Sequence, residues 1–169
     1  MITVRIERPE DYPIVRKINA IAFERPNEAD LVDALRRRGA ALLSLVGEKD
    51  GRVVGHILFS PVAIRSGQQE FPAVGLAPMA VLPNYQGHGI GKALVQTGLE
   101  QLKQAGHGLV VVLGHKNYYP RFGFRPARPL GIEYQTGIPD EYFLVAELLP
   151  GALSGVHGQV HFQPEFSAV

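Results

Sequence analysis

Between residues 81 and 94 the chain reads Val-Leu-Pro-Asn-Tyr-Gln-Gly-His-Gly-Ile-Gly-Lys-Ala-Leu, and no other stretch restricts the possible folds as tightly. An apolar, strand-like run leads into it, and an amphipathic helical pattern leaves it, with Leu94, Val95, Leu99 and Leu102 on one face. Gly87, Gly89 and Gly91 stand in the joint. Glycine reaches backbone conformations closed to other residues and puts no side chain in the way of a ligand. The first turn of a helix adds unpaired N–H donors and the positive end of its dipole. The joint is therefore suited to hold a phosphate on the main chain of Gly87, His88, Gly89, Ile90, Gly91 and Lys92.

Two common nucleotide loops do not fit. A Walker A loop requires a glycine where Gln86 stands and a hydroxyl where Ala93 stands. A dinucleotide fingerprint, G-x-G-x-x-G at the first strand-to-helix turn, is broken because Lys92 follows Gly91 and because earlier strands precede the loop.

The rest of the chain sets the frame for this joint. A strand at residues 3–6 leads to a helix opened by Pro9-Glu10-Asp11, with Ile14, Ile18, Ile21 and Ala22 on its expected buried face. Asn27 is placed to cap a second helix that buries Leu31 and Leu35. Strands at 42–48 and 52–64 join through Lys49-Asp50-Gly51, a hairpin signal, and a fourth strand covers 73–82. After the loop helix, residues 109–113 form the continuous apolar run of a strand covered on both faces. Strands at 142–148 and 158–162 complete an order that fits an α+β fold, a mostly antiparallel sheet with one parallel pair at the glycine joint. Pro78 interrupts the fourth strand. Either a bulge there frees the main chain of Met79, Ala80 and Val81, or the strand begins only at Met79.

Composition removes several function classes. A net charge of +1 gives no electrostatic case for nucleic acid or an anionic membrane, and Arg36-Arg37-Arg38 reads as a solvated helix end. Cysteine is absent, so no thiol nucleophile or cysteine metal site is available. No apolar run reaches membrane-spanning length and Arg5, Glu7 and Arg8 break any signal-peptide pattern, so a cytoplasmic location is expected. His157 and His161 are spaced i, i+4 but in strand-like sequence, and no metal is expected. His56 reads as a hydrogen-bonded sheet residue.

Gln86, Gly89 and Gly91 fill the pattern Gln/Arg-x-x-Gly-x-Gly/Ala. With "APMAVLPNYQGHGIGKALV" around it and "YYPRFGF" at 118–124, the chain resembles the GNAT superfamily of acetyl-CoA-dependent N-acetyltransferases over residues 1–148, and its small bacterial branch in particular. The resemblance implies a GNAT acyl-CoA N-acyltransferase fold over a single domain, 1–169, with about seven strands, about four helices and a splayed parallel pair formed by the fourth and fifth strands. It also implies acetyl-CoA as co-substrate, with its diphosphate on residues 87–92 and its pantetheine arm along Met79, Ala80 and Val81. A backbone N–H near Met79 would face the thioester oxygen. In the family a tyrosine four residues before the glycine of a Gly-Phe pair gives a proton to the departing thiolate, and Gly123-Phe124 places that role on Tyr119. A phenol stays protonated at neutral pH and lies within about two pK units of a thiol.

The family's strand glutamate is missing here, and Val112 stands where an asparagine is usual, with Asn117 closer to the tyrosine. Glu28 and His115 are candidate bases acting through water, and the roles of Tyr118 and Asn117 stay open. The expected reaction is direct acetyl transfer to a primary amine on a small molecule or peptide, by a monomer or homodimer. Transfer of a longer acyl group, or a non-catalytic CoA-binding sensor or accessory subunit, are the alternatives.

Overall fold

The computed structural model describes residues 1–169. β1 (Ile2–Ile6) leads through a 3-10 turn, Pro9–Asp11, to α1 (Tyr12–Phe23) and α2 (Asn27–Arg37). β2 (Leu43–Lys49), β3 (Arg52–Ser66) and β4 (Gln69–Val81) follow, then α3 (Ile90–Gln104) and β5 (Leu109–Leu113). The two-residue strands β6 (Arg125–Pro126) and β7 (Ile132–Glu133) precede β8 (Phe143–Glu147) and β9 (Gly158–His161). Hydrogen bonding gives the strand order β1-β2-β3-β4-β5-β8-β6, with β9 beside β3 and β7.

This is the expected mixed fold, with corrections. There are three helices, because residues 119–122 close only a 3-10 turn between Pro120 and Gly123, where a fourth helix is expected. The sheet has nine strands, β6 and β7 being the short additions. β4 pairs with β5 in parallel, but only at Val74↔Val110 and Gly75↔Val111, and β7 with β9 forms a second parallel pair. β4 is continuous through Pro78, whose peptide bond to Ala77 is cis, so the strand does not begin at Met79.

The chain divides into two compact units, with β3, β4 and α3 contributing to both. The first comprises Met1–Ser60, Ala77–Gly98 and Pro164–Val169, and the second Pro61–Leu76 and Leu99–Gln163. Val15, Leu31, Val32, Leu35, Val46 and Leu58 form a core cluster in the first. Ile64, Val111, Ile132, Phe143 and Val145 are central to that of the second.

In the first unit the β2–β3 hairpin turns on Asp50 (φ 50°) and Gly51 (φ 83°), the left-handed pair that a two-residue turn requires. α1 buries Val15, Ile18 and Asn19, whereas Ile21 is 40% exposed. The helix carries two adjacent apolar stripes, and packing selects the one facing β3. α2 begins one residue early, because Asp30 N–H bonds the Pro26 carbonyl at 2.8 Å. Asn27 therefore lies inside the first turn and makes no cap. Arg36 is not a solvated cation. It pairs with Glu7 (2.5 Å) and Asp33 (2.9 Å) and stacks on Tyr12 at 3.7 Å.

Candidate functional site

In the first unit, β4 passes into the glycine joint through a 3-10 turn, Pro83–Tyr85. Leu82 N–H bonds the Val54 carbonyl (2.9 Å), tying the end of β4 to β3. The Gln86 side chain turns back and donates from Nε2 to the Val81 carbonyl at 2.9 Å, which fixes the joint to the strand. That bond also means one of the main-chain groups expected to be free, the Val81 oxygen, already has a partner. Gly87 (φ 78°) and Gly89 (φ 89°) adopt left-handed conformations, and open space around Gly87 shows that backbone shape, not crowding, selects glycine there. Gly91 lies inside α3.

The first helical bond of α3 runs from Ala93 N–H to the Gly89 carbonyl (3.0 Å), so the amides of Ile90, Gly91 and Lys92 precede it and have no helical acceptor. Three consecutive N–H groups without helical acceptors thus stand at the positive end of a fifteen-residue helix, a donor set of the kind that favours an anion. The helix is held close to the sheet by small residues. Gly47 on β2 faces Gly55 on β3, and a Cβ on them would lie 3.0 Å and 2.9 Å from Ile90 Cγ2. About two turns further along α3, a Cβ at Gly98 would overlap the ring of the fully buried Phe59. Motif reading does not find these glycines, although glycine inside a strand is a general sign of close approach by another backbone.

Beneath α1 lies a buried polar chain. Asn19 Nδ2 bonds His56 Nδ1 (3.2 Å) and the Val15 carbonyl (3.0 Å), and His56 Nε2 meets Ser44 Oγ at 2.8 Å. With Nδ1 accepting, Nε2–H donates to Ser44. Burial, and then the nearby Arg36 charge, lower the His56 pKa to about 3, so the ring is neutral. His56 is a structural sheet residue, as expected.

The expected catalytic tyrosine lies in the second unit. Tyr119 is buried at the start of its 3-10 turn, and Gly123 closes the turn at φ 93°. Its ring packs edge-on to Tyr118 (5.1 Å) and Phe124 (5.5 Å). A Cβ on Gly114 would overlap it. Amides of Tyr118 and Tyr119 both donate to the His115 carbonyl, at 3.0 and 3.2 Å. Arg121 clamps the turn from outside, donating to the Tyr118 (2.9 Å) and Asn117 (3.2 Å) carbonyls with its guanidinium over the Tyr118 ring. Burial raises the Tyr119 pKa well above the usual phenol range, with Tyr118 adding to it, so the gap to a thiol is wider than sequence suggests.

The two candidate bases differ. Both oxygens of Glu28 are engaged by Arg25, through Nε at 2.9 Å and through Nη2. His115 is exposed, accepts the Asn117 N–H on Nδ1 (3.2 Å) and stands edge-on to Tyr142. No group of three or more His, Asp or Glu side chains is arranged to hold a metal ion. No helix is long and apolar enough to cross a membrane.

Known proteins are similar to this chain in sequence and fold. Residues 3–127 fit the family model described as an acetyltransferase (GNAT) domain. The chain is 36% identical over 165 residues to the uncharacterized N-acetyltransferase YhbS of Escherichia coli strain K12, covering 97% of this chain and 98% of that one. It is 41% identical over 144 residues to the uncharacterized N-acetyltransferase YjhQ of the same strain, covering 83% and 79%. A crystal structure of E. coli YhbS in complex with CoA superposes with a TM-score of 0.91, covering 98% of this chain and 92% of that one. A GNAT family acetyltransferase from Brucella melitensis in complex with acetyl-CoA, 38% identical and 98% covered on both sides, gives 0.81. The chain belongs to the GNAT acetyltransferase family. Over nearly its whole length it is similar to YhbS.

Proposed function

We propose that this protein transfers acetyl from acetyl-CoA to a primary amine of a small molecule or peptide, by direct attack of the amine. The observation that carries the reading is the set of uncommitted amides at Ile90, Gly91 and Lys92, placed behind a glycine turn that directly follows β4. A diphosphate suits such a donor set, since anions are favoured at a helix N-terminus. The crystal structures of YhbS with CoA and of the Brucella protein with acetyl-CoA support the same ligand here.

Bound acetyl-CoA supplies the acetyl group as an activated thioester. The amides of residues 87–92 hold its diphosphate, which sets position and so lowers the entropic part of the barrier. Main-chain groups of Met79, Ala80 and Val81 align the pantetheine arm, and the Met79 N–H donates to the thioester oxygen as charge develops there. Tyr119 holds its proton at the phenol oxygen and gives it, or a strong hydrogen bond, to the sulfur as the carbon–sulfur bond breaks. With Glu28 bound to Arg25, His115 is the better candidate to take a proton from the amine through water, on Nδ1 once that atom gives up the Asn117 N–H.

The test is thiol release from acetyl-CoA across a panel of primary amines. One or more amines should give turnover, and Tyr119→Phe should lower it while leaving CoA affinity unchanged. Turnover equal to wild type in Tyr119→Phe removes that residue from the mechanism. CoA binding with no turnover on any amine favours the sensor instead.

A further inference from the structure

α1 carries more apolar surface than its core contacts use. Val15 and Ile18 are fully buried, whereas Ile14 and Ile21 line an open cavity of about 660 Å³ with Val53, near the start of β3, and Leu82, just after β4. That volume is in the range of small-molecule sites. The floor is anchored, because Val53 also packs against the buried cluster around Val15, Val32 and Leu58.

Charge on this groove is one-sided. Lys17 and Arg52 line it, and no acidic residue does. Other cations on the same two elements are neutralised. Arg16, next to Lys17, bonds Asp30 and Asp33, both at 2.8 Å, and Arg65 at the far end of β3 bonds Glu70 at 2.7 Å. Lys17 and Arg52 have no carboxylate partner. Two free cations beside the half-buried Ile14 and the exposed Ile21 suit a ligand that brings an apolar body and a negative charge together, since the first leaves water and the second gains charge-assisted hydrogen bonds.

We propose that this groove binds a small amphipathic organic anion, with its apolar body on Ile14, Ile21, Val53 and Leu82 and its carboxylate on Lys17 and Arg52. The site is distinct from the amides of residues 90–92 and does not depend on the acetyl-transfer reading.

Calorimetry on the full chain tests this, with octanoate as the probe and octanol and octylammonium as charge controls. Octanoate should saturate a single site at least about tenfold more tightly than either control. Ile21→Asp, and separately Lys17→Glu with Arg52→Glu, should each weaken octanoate by about tenfold or more at an unchanged melting temperature. Saturating CoA should leave octanoate binding as it was. Absence of octanoate binding, equal affinity for octylammonium, wild-type affinity in the folded charge-reversed double variant, or displacement by CoA would each overturn the proposal.

Discussion

The helix mouth at α3 and the turn at Tyr119 are held by opposite means. At α3 the proposed working groups belong to the backbone, and the seat of the helix depends on side chains being absent between it and the sheet, at Gly47 and Gly55 on the strands and at Gly98 on the helix itself. At Tyr119 the proposed working group is one hydroxyl, and a packed aromatic cluster over Gly114 sets the place of its ring. Apart from the Gln86 bond that ties the loop to the strand, the first arrangement therefore depends little on the loop's own side chains, but it is sensitive to bulk added between helix and sheet. The second is sensitive to a single oxygen atom.

The largest expected effect comes from bulk under α3. Gly98→Val puts a branched side chain into the space of the buried Phe59 ring and should cost about 3 kcal/mol of stability, read by urea unfolding, with loss of CoA affinity. Wild-type stability would mean that α3 is not seated as described. Acid should attack the same unit through His56, which shares strands β2 and β3 with Gly47 and Gly55 through its bond to Ser44. The unfolded chain protonates this ring below about pH 6.5, while the folded chain resists until about pH 3. Stability should accordingly fall by about 1.4 kcal/mol per pH unit across that window as pH drops. His56→Gln, compared at pH 6.5 and 4.5 by denaturant unfolding, should show a shallower fall.

Tyr119→Phe sharpens the contrast from the other side. Turnover should drop by about a hundredfold with CoA affinity within about twofold, because only the hydroxyl is lost and the ring packing remains. Gln86→Ala removes the bond to the Val81 carbonyl and should weaken CoA binding by about 1 kcal/mol, measured by calorimetry. The smallest effect is expected at His88→Ala, which keeps every amide of the loop. A change in CoA affinity beyond about twofold there would show that the side chain, and not only the backbone, takes part.

Backbone features with strong local signals were legible in the sequence. The glycine joint, the continuous apolar run that became β5, the Asp50-Gly51 turn and the tyrosine before Gly123-Phe124 all announce themselves in a few adjacent residues. What could not be read depends on partners far along the chain. Ile14 and Ile21 have the same periodicity as a buried face, and only the packing of Asn19 against His56 decides which stripe turns inward. Arg36 looks like a surface cation until Glu7, remote in sequence, is brought beside it. Gly47 and Gly55 acquire meaning only once the hairpin register places them opposite each other. The fourth helix implied by the resemblance has no counterpart at residues 119–122, since Pro120 and Gly123 leave room for a single turn.

Main-chain NMR during titration with CoA, and in parallel with pantetheine, which lacks the diphosphate, addresses the helix mouth directly. Saturable shifts are expected with CoA, largest at the amides of Ile90, Gly91 and Lys92, and none there with pantetheine. CoA binding that leaves those three amides unmoved, or pantetheine moving them equally, would contradict this expectation.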